Sequence, residues 1–168
     1  MTQLFAQPYD INATGFYFQS QAEYAEKSAQ ARNAYGFPIE EYELQFIAGE
    51  DIDAKLFEAL SINQCNFAAF LDACDKWTEE QKIKTIIAVS EGGYDFDLHT
   101  GNPDDFDVDL YEMSSLRELA ERFVEEGLFG TIPKEIEHYL DYDAIARNLG
   151  FDYGETVIAG KRLIYRCL

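Results

Sequence analysis

Any chemistry in this sequence has to start from carboxylates, which outnumber every other reactive side chain. Asp105-x-Asp107-x-Asp109 opens with the spacing of a calcium loop, but such a loop wants Gly at its sixth position and Glu at its twelfth. The chain has Leu110 and Leu116 there. Asp95-x-Asp97-x-His99 places two oxygen ligands and one nitrogen ligand on alternate residues, which on a strand would share one exposed face without further partners. A metal-dependent hydrolase would have to use those three. With His99 and His138 as the only histidines, no motif surrounds a nucleophile and base pair. His138, between Glu137 and Tyr139, reads as structural. The glycine-rich and His-Glu motifs of dinucleotide, triphosphate and zinc-peptidase sites are missing too. The residues therefore name no catalytic group, no metal and no cofactor.

Charge is the stronger signal. The 168 residues hold 32 Asp and Glu against 13 Lys and Arg, a formal net charge of -19. Such an excess destabilises the compact state by self-repulsion and speeds encounter with basic partners. It excludes nucleic acid as a ligand, because DNA is itself a polyanion bound through Lys and Arg. From Asp104 to Asp143 thirteen acids face only Arg117, Arg122 and Lys134. They are Asp104, Asp105, Asp107, Asp109, Glu112, Glu118, Glu121, Glu125, Glu126, Glu135, Glu137, Asp141 and Asp143. On a helix, Glu118, Glu121 and Glu125 form a row with neighbours about 5–6 Å apart. DNA carries a phosphate about every 3.4 Å along each strand, a linear charge density of the same order. A solvated helix face explains any single row, and adaptation to high salt would spread acids evenly; a local excess fits neither as well.

These carboxylates need elements to hold them. With 47% hydrophobic and 15% aromatic residues, the chain can bury real cores. Gly15-Phe16-Tyr17-Phe18 and Tyr42-Glu43-Leu44-Gln45-Phe46 read as strands, with a helix near Ala22–Tyr35 that Gly36 and Pro38 stop. Residues 51–92 read as helical, with capping boxes at Ser61-x-x-Gln64 and Thr78-x-x-Gln81 and an apolar stripe through Phe67, Phe70, Leu71, Cys74 and Trp77. Gly92 to Asp109 reads as strand, turn and linker. Ser115-x-x-Glu118 opens a helix that buries Leu116, Leu119, Ala120, Phe123 and Val124 and ends at Gly127. Pro133 starts a short helix, Asp141 caps another ending at Gly150, and Gly160-Lys161 turns a terminal hairpin. The fold class is α+β: an elongated chain of small subdomains, with N-terminal strands plus a helix (1–50), a helical middle (51–92), and C-terminal helices plus an antiparallel hairpin (93–168).

Three cysteines, Cys65, Cys74 and Cys167, cannot all pair and have no Cys-x-x-Cys spacing, which suits a reducing cytoplasm. No signal-peptide pattern and no membrane-length apolar run stands in the sequence.

Gly130-Thr131-Ile132-Pro133, Tyr139-Leu140-Asp141-Tyr142 and Ala146-Arg147-Asn148-Leu149 resemble the C-terminal segment of the ArdA-type antirestriction proteins. The likeness continues upstream through Glu40-Glu41-Tyr42-Glu43-Leu44 and the two-helix middle; at the start only Gly15-Phe16-Tyr17-Phe18 compares with the family's usual Tyr- and Gly-rich strand. The resemblance implies three small subdomains, a homodimer formed through the last of them, and carboxylates arrayed like the phosphates of bent DNA. It also implies a partner, the type I restriction-modification enzyme with its methyltransferase and specificity core, whose DNA cleft is filled so that an incoming mobile element escapes cleavage. It implies no catalytic residue. The sequence reading is thus a cytoplasmic, non-enzymatic DNA mimic with no membrane attachment. The alternative is a general acidic module for another basic protein.

Overall fold

Alternation of buried and outward side chains along Gln3–Pro8 makes strand β1, with Leu4 and Ala6 fully buried. β2 (Phe16–Phe18) and β3 (Tyr42–Ala48) flank it in an antiparallel sheet of order β2-β1-β3. The computed structural model describes all residues 1–168, in two compact units, Met1–Asp105 and Phe106–Leu168.

In the first unit, helix α1 (Gln21–Gln30) is capped by Ser20, whose side chain accepts from the Glu23 amide. It ends several residues before the expected Tyr35, because Arg32 leaves the helix to form an isolated antiparallel bridge with Pro38. Gly36, at φ +84°, turns the chain between them. Three helices follow: α2 (Asp51–Ala59), α3 (Phe67–Lys76) and α4 (Glu79–Ser90). Thr78 and Gln81 form the expected reciprocal capping box on α4. The Ser61 box does not form. Ser61 sits at φ +49°, α3 starts at Phe67, and the Gln64 side chain instead takes the Tyr42 amide proton at 2.7 Å and donates to the Tyr24 hydroxyl at 2.9 Å. Long-range contacts have outcompeted a local cap there.

The core of this unit joins sheet and helices through Leu4, Phe18, Leu56, Phe70 and Ile87, all essentially inaccessible. Within it lies a buried ion pair. Lys82 Nζ meets Asp53 Oδ1 at 2.7 Å with both side chains 5% exposed, and also donates to the Cys74 carbonyl at 2.8 Å. One ammonium thereby ties α4 to α2 and to the end of α3. Burial, with the Asp53 charge adding, pushes the Cys74 thiol up to about 12.

The second unit is built around α5 (Leu116–Glu125), whose Leu119 and Phe123 pack with Tyr153 and Ile164. Ser115 caps it and Gly127, at φ +75°, follows its end, as the sequence predicts. α6 (Lys134–Glu137) and α7 (Tyr142–Leu149) come next, α7 capped by the Asp141 side chain. The sheet has order β4-β6-β5, from β4 (Val108–Glu112), β5 (Gly154–Ile158) and β6 (Lys161–Cys167). The hairpin turn is Ala159-Gly160, one residue earlier than expected, with φ of +49° and +80°. Both central residues of a type I′ turn need positive φ, which matches the twist of the strands it joins.

Candidate acidic surface

The carboxylates sit mostly on helix faces and element ends because the opposite faces are committed to the cores. On α5 the buried residues are Leu119, Ala120, Phe123 and Val124, which leaves Glu118, Glu125 and Glu126 exposed and Glu121 half-buried. Asp104 and Asp105 lie in the 3-10 turn Pro103–Asp105 that closes the first unit; the other residues assigned from the sequence belong to the second.

Many of these groups are already engaged. Arg117 reaches Glu121 at 3.1 Å and Asp143 at 2.7 Å, joining α5 to α7, and Arg122 pairs with Glu126 at 2.7 Å. Arg166 holds Asp109 at 2.6 Å and lies 4.9 Å from the Tyr153 ring centre. Glu118 accepts from the Ser114 amide and hydroxyl, both at 2.8 Å, so its cap is shifted one residue upstream of a standard box. Those two bonds hold its carboxyl below the ordinary value of 4.5. Asp141 accepts the Ala144 amide proton, Asp104 a Gln81 amide proton, and Asp105 one from Asn102. Asp107, Glu112, Glu125, Glu135 and Glu137 are exposed, and each is free of ion pairs and side-chain hydrogen bonds. The row on α5 is therefore a mixture of neutralised, capping and free carboxylates.

The larger excess lies in the first unit, outside most of the residues assigned from the sequence. Residues 1–105 hold 19 acids and 6 bases, and residues 106–168 hold 13 and 7. Lys27, Lys55, Lys76, Lys82 and Lys84 each pair with one carboxylate, and Arg32 donates to the Ala29 and Ala31 carbonyls. Most carboxylates of this unit therefore have no internal counter-ion, Glu40, Glu41, Glu43 and Glu50 among the exposed ones. The signal was present in residues 1–50, with seven acids to two bases, but at lower density than in Asp104–Asp143.

The Asp95, Asp97 and His99 group is not a strand face. The Asp97 carboxylate accepts from the His99 amide and the Thr100 hydroxyl in a local turn, while His99 Nε2 lies 3.1 Å from the Cys65 carbonyl. No group of three His, Cys, Asp or Glu side chains converges as a metal site would require. No helix is long and apolar enough to cross a membrane.

Fold and surface define an acidic α+β protein whose exposed chemistry is dominated by carboxylates. The antirestriction protein (ArdA) family model matches residues 4–161, and the chain belongs to that family. Among curated proteins no match was found.

Proposed function

We propose that this protein is a non-enzymatic inhibitor that occupies the DNA cleft of type I restriction-modification enzymes by presenting carboxylates in place of phosphates. The observation that carries the proposal is the net charge of -19, carried largely by exposed side chains, in a chain of an antirestriction family. A cleft that binds DNA is lined with Lys and Arg, and an array of fixed carboxylates satisfies the same groups. The assigned contact set is Asp104, Asp105, Asp107, Asp109, Glu112, Glu118, Glu121, Glu125, Glu126, Glu135, Glu137 and Asp141. Within it, Glu125 and the other unpaired carboxylates give up no internal partner on binding. Protection of incoming mobile DNA inside the cytoplasm is the biological counterpart of this reading.

A homodimer formed by the second unit belongs to the same proposal. α6 and α7 contain no buried residue, and Leu128, Phe129, Ile136, Tyr139 and Phe151 are exposed. A second copy covering them would supply the burial that one chain leaves unmade.

The test is competition between the purified protein and a DNA duplex for a type I methyltransferase core, repeated across a range of salt. Displacement that weakens as salt rises is expected, since exposed charges are screened beyond about 10 Å at 0.1 M salt. Replacing Glu118, Glu121 and Glu125 together by Lys is expected to weaken displacement roughly tenfold or more through like-charge repulsion. Unchanged displacement in that variant removes the row from the contact. No displacement from several such cores leaves an acidic module for a different basic protein.

A further inference from the structure

Beside α1 the first unit has a hollow of about 430 Å³ that the acidic contact set does not use. Its walls include Tyr24, Ala25 and Ala29 of α1, Glu40 and Tyr42 at the approach to β3, and Phe67 at the start of α3. The volume falls in the range of sites that take small molecules or single side chains, about 300–1,000 Å³.

The Tyr24 ring centre lies 4.6 Å from Phe67 and 6.1 Å from Tyr42, so aromatic surfaces cluster at one wall. Tyr42 is 4% exposed, and its buried hydroxyl has no hydrogen-bond partner. The Gln64 side chain is bonded to the Tyr42 amide, the Tyr24 hydroxyl and the Glu40 carbonyl, which fixes this wall of the hollow. The Glu40 carboxylate is exposed and unpaired. A second hollow, of about 250 Å³, shares Ile39 and Glu40 with the first and adds Tyr9, Asp10 and Glu41.

No Lys or Arg lines either hollow. The Arg32 guanidinium is bonded to the Ala29 and Ala31 carbonyls. Lys27 is held by Glu23 and the Tyr17 carbonyl. The half-buried Tyr24 ring and the rim carboxylate of Glu40 together match a planar cation, which stacks on rings and donates several hydrogen bonds at once.

We infer that this hollow receives an arginine side chain of the basic partner, its guanidinium against the half-buried Tyr24 ring and its charge toward Glu40. The inference rests on the preceding reading that the partner presents a basic surface. It adds a shaped contact, with a preference for arginine over lysine, to an interface otherwise described by charge alone.

The test titrates the full-length isotope-labelled protein with N-acetyl-arginine amide at low salt and follows the backbone amide signals. Saturable shifts confined to residues 24–29, 39–42 and 64 are expected, with N-acetyl-lysine amide binding about two- to fivefold more weakly. Ala29→Phe fills the hollow from an exposed helix position without changing charge, and it is expected to abolish the shifts. Glu40→Gln, which leaves the packing untouched, is expected to weaken them about two- to fivefold and keeps the test readable should the new ring disturb α1. Shifts that spread over carboxylates throughout the chain without saturating overturn the inference. So do saturable shifts that persist in a folded Ala29→Phe protein, or tighter binding of neutral indole than of the arginine probe. If the native protein binds the probe here yet fails to displace DNA from a type I core, the guanidinium site stands and the proposed function falls.

Discussion

The two units manage the same excess of negative charge in different ways. The first holds 19 acids and only 6 bases, and it places one of its few ammonium groups, Lys82, in the core against Asp53. The second holds 13 acids and 7 bases and keeps its arginine bridges at the surface, where Arg117 joins α5 to α7 and Arg122 reaches forward to Glu126 at the end of α5. A buried pair is costly to break because the remaining charge is stranded, whereas an exposed pair contributes little. The first unit thus sets one hard-to-break pair within its apolar core and leaves its surface carboxylates unbalanced. The second balances part of its surface and takes its cohesion from the cluster around Phe123 and Tyr153.

The sharpest way to break this contrast is to remove one buried partner. Lys82→Met is expected to destabilise the first unit by about 3–5 kcal/mol, measured by urea unfolding, with most of the loss recovered when Asp53→Leu is added. A loss below 1 kcal/mol would mean that water reaches the pair. Arg122→Gln, its counterpart in the second unit, is expected to change stability by no more than about 1 kcal/mol. A larger loss would give that bridge a weight close to that of the buried pair. Between these in size lies a gain: Ala159 occupies the left-handed region, which disfavours side chains other than Asn, Asp and Gly, so Ala159→Asn is expected to stabilise the second unit by about 0.5–1 kcal/mol.

Titration separates the units more gently. Glu118 in the second unit and Asp10, Glu23 and Asp97 in the first are all held below their ordinary values by hydrogen bonds. A depressed carboxylate contributes stability that is complete above its unfolded value, 4.5 for Glu118, and that is lost as pH falls through the lower folded value. Melting temperature is therefore expected to fall as pH drops below about 4.5, and Glu118→Gln is expected to flatten the part of that fall that comes from the α5 cap. An unaltered profile in the variant would assign the acid sensitivity elsewhere. The smallest effect is chemical. Cys65 is exposed, whereas Cys74 is pushed up to about 12, so a thiol reagent at neutral pH is expected to modify Cys65 first and Cys74 only on unfolding.

What the sequence made legible follows how local each signal is. The caps at Thr78, Ser115 and Asp141 and the stop at Gly127 depend on residues within one turn, and all four stand where sequence placed them. β1 is weakly encoded, because Gln3–Pro8 alternates around a small Ala6 and a terminal Pro8 and its pairing partners lie 10 to 45 residues away. β4 is masked by its own acids, since Asp105, Asp107 and Asp109 interrupt the apolar signal of Val108 and Leu110. The Ser61 cap failed because Gln64 makes bonds that no window of neighbours can reveal. On the surface, the density of acids was legible but their engagement was not. That Arg166 would take Asp109, 57 residues away, depends on the β4 and β6 register.

The burial of Lys82 also makes the chain a reporter of its own opening. A protease that cuts after Lys and Arg meets exposed sites at Lys55 and Lys76 in the folded first unit, but the bond after Lys82 lies inside α4 and must wait until that helix is released. Beyond Lys84 no basic residue occurs until Arg117, so the whole passage from one unit to the other survives such digestion as a single long fragment. The rate at which that fragment is freed at its Lys84 end measures how often the first unit opens, with no label attached.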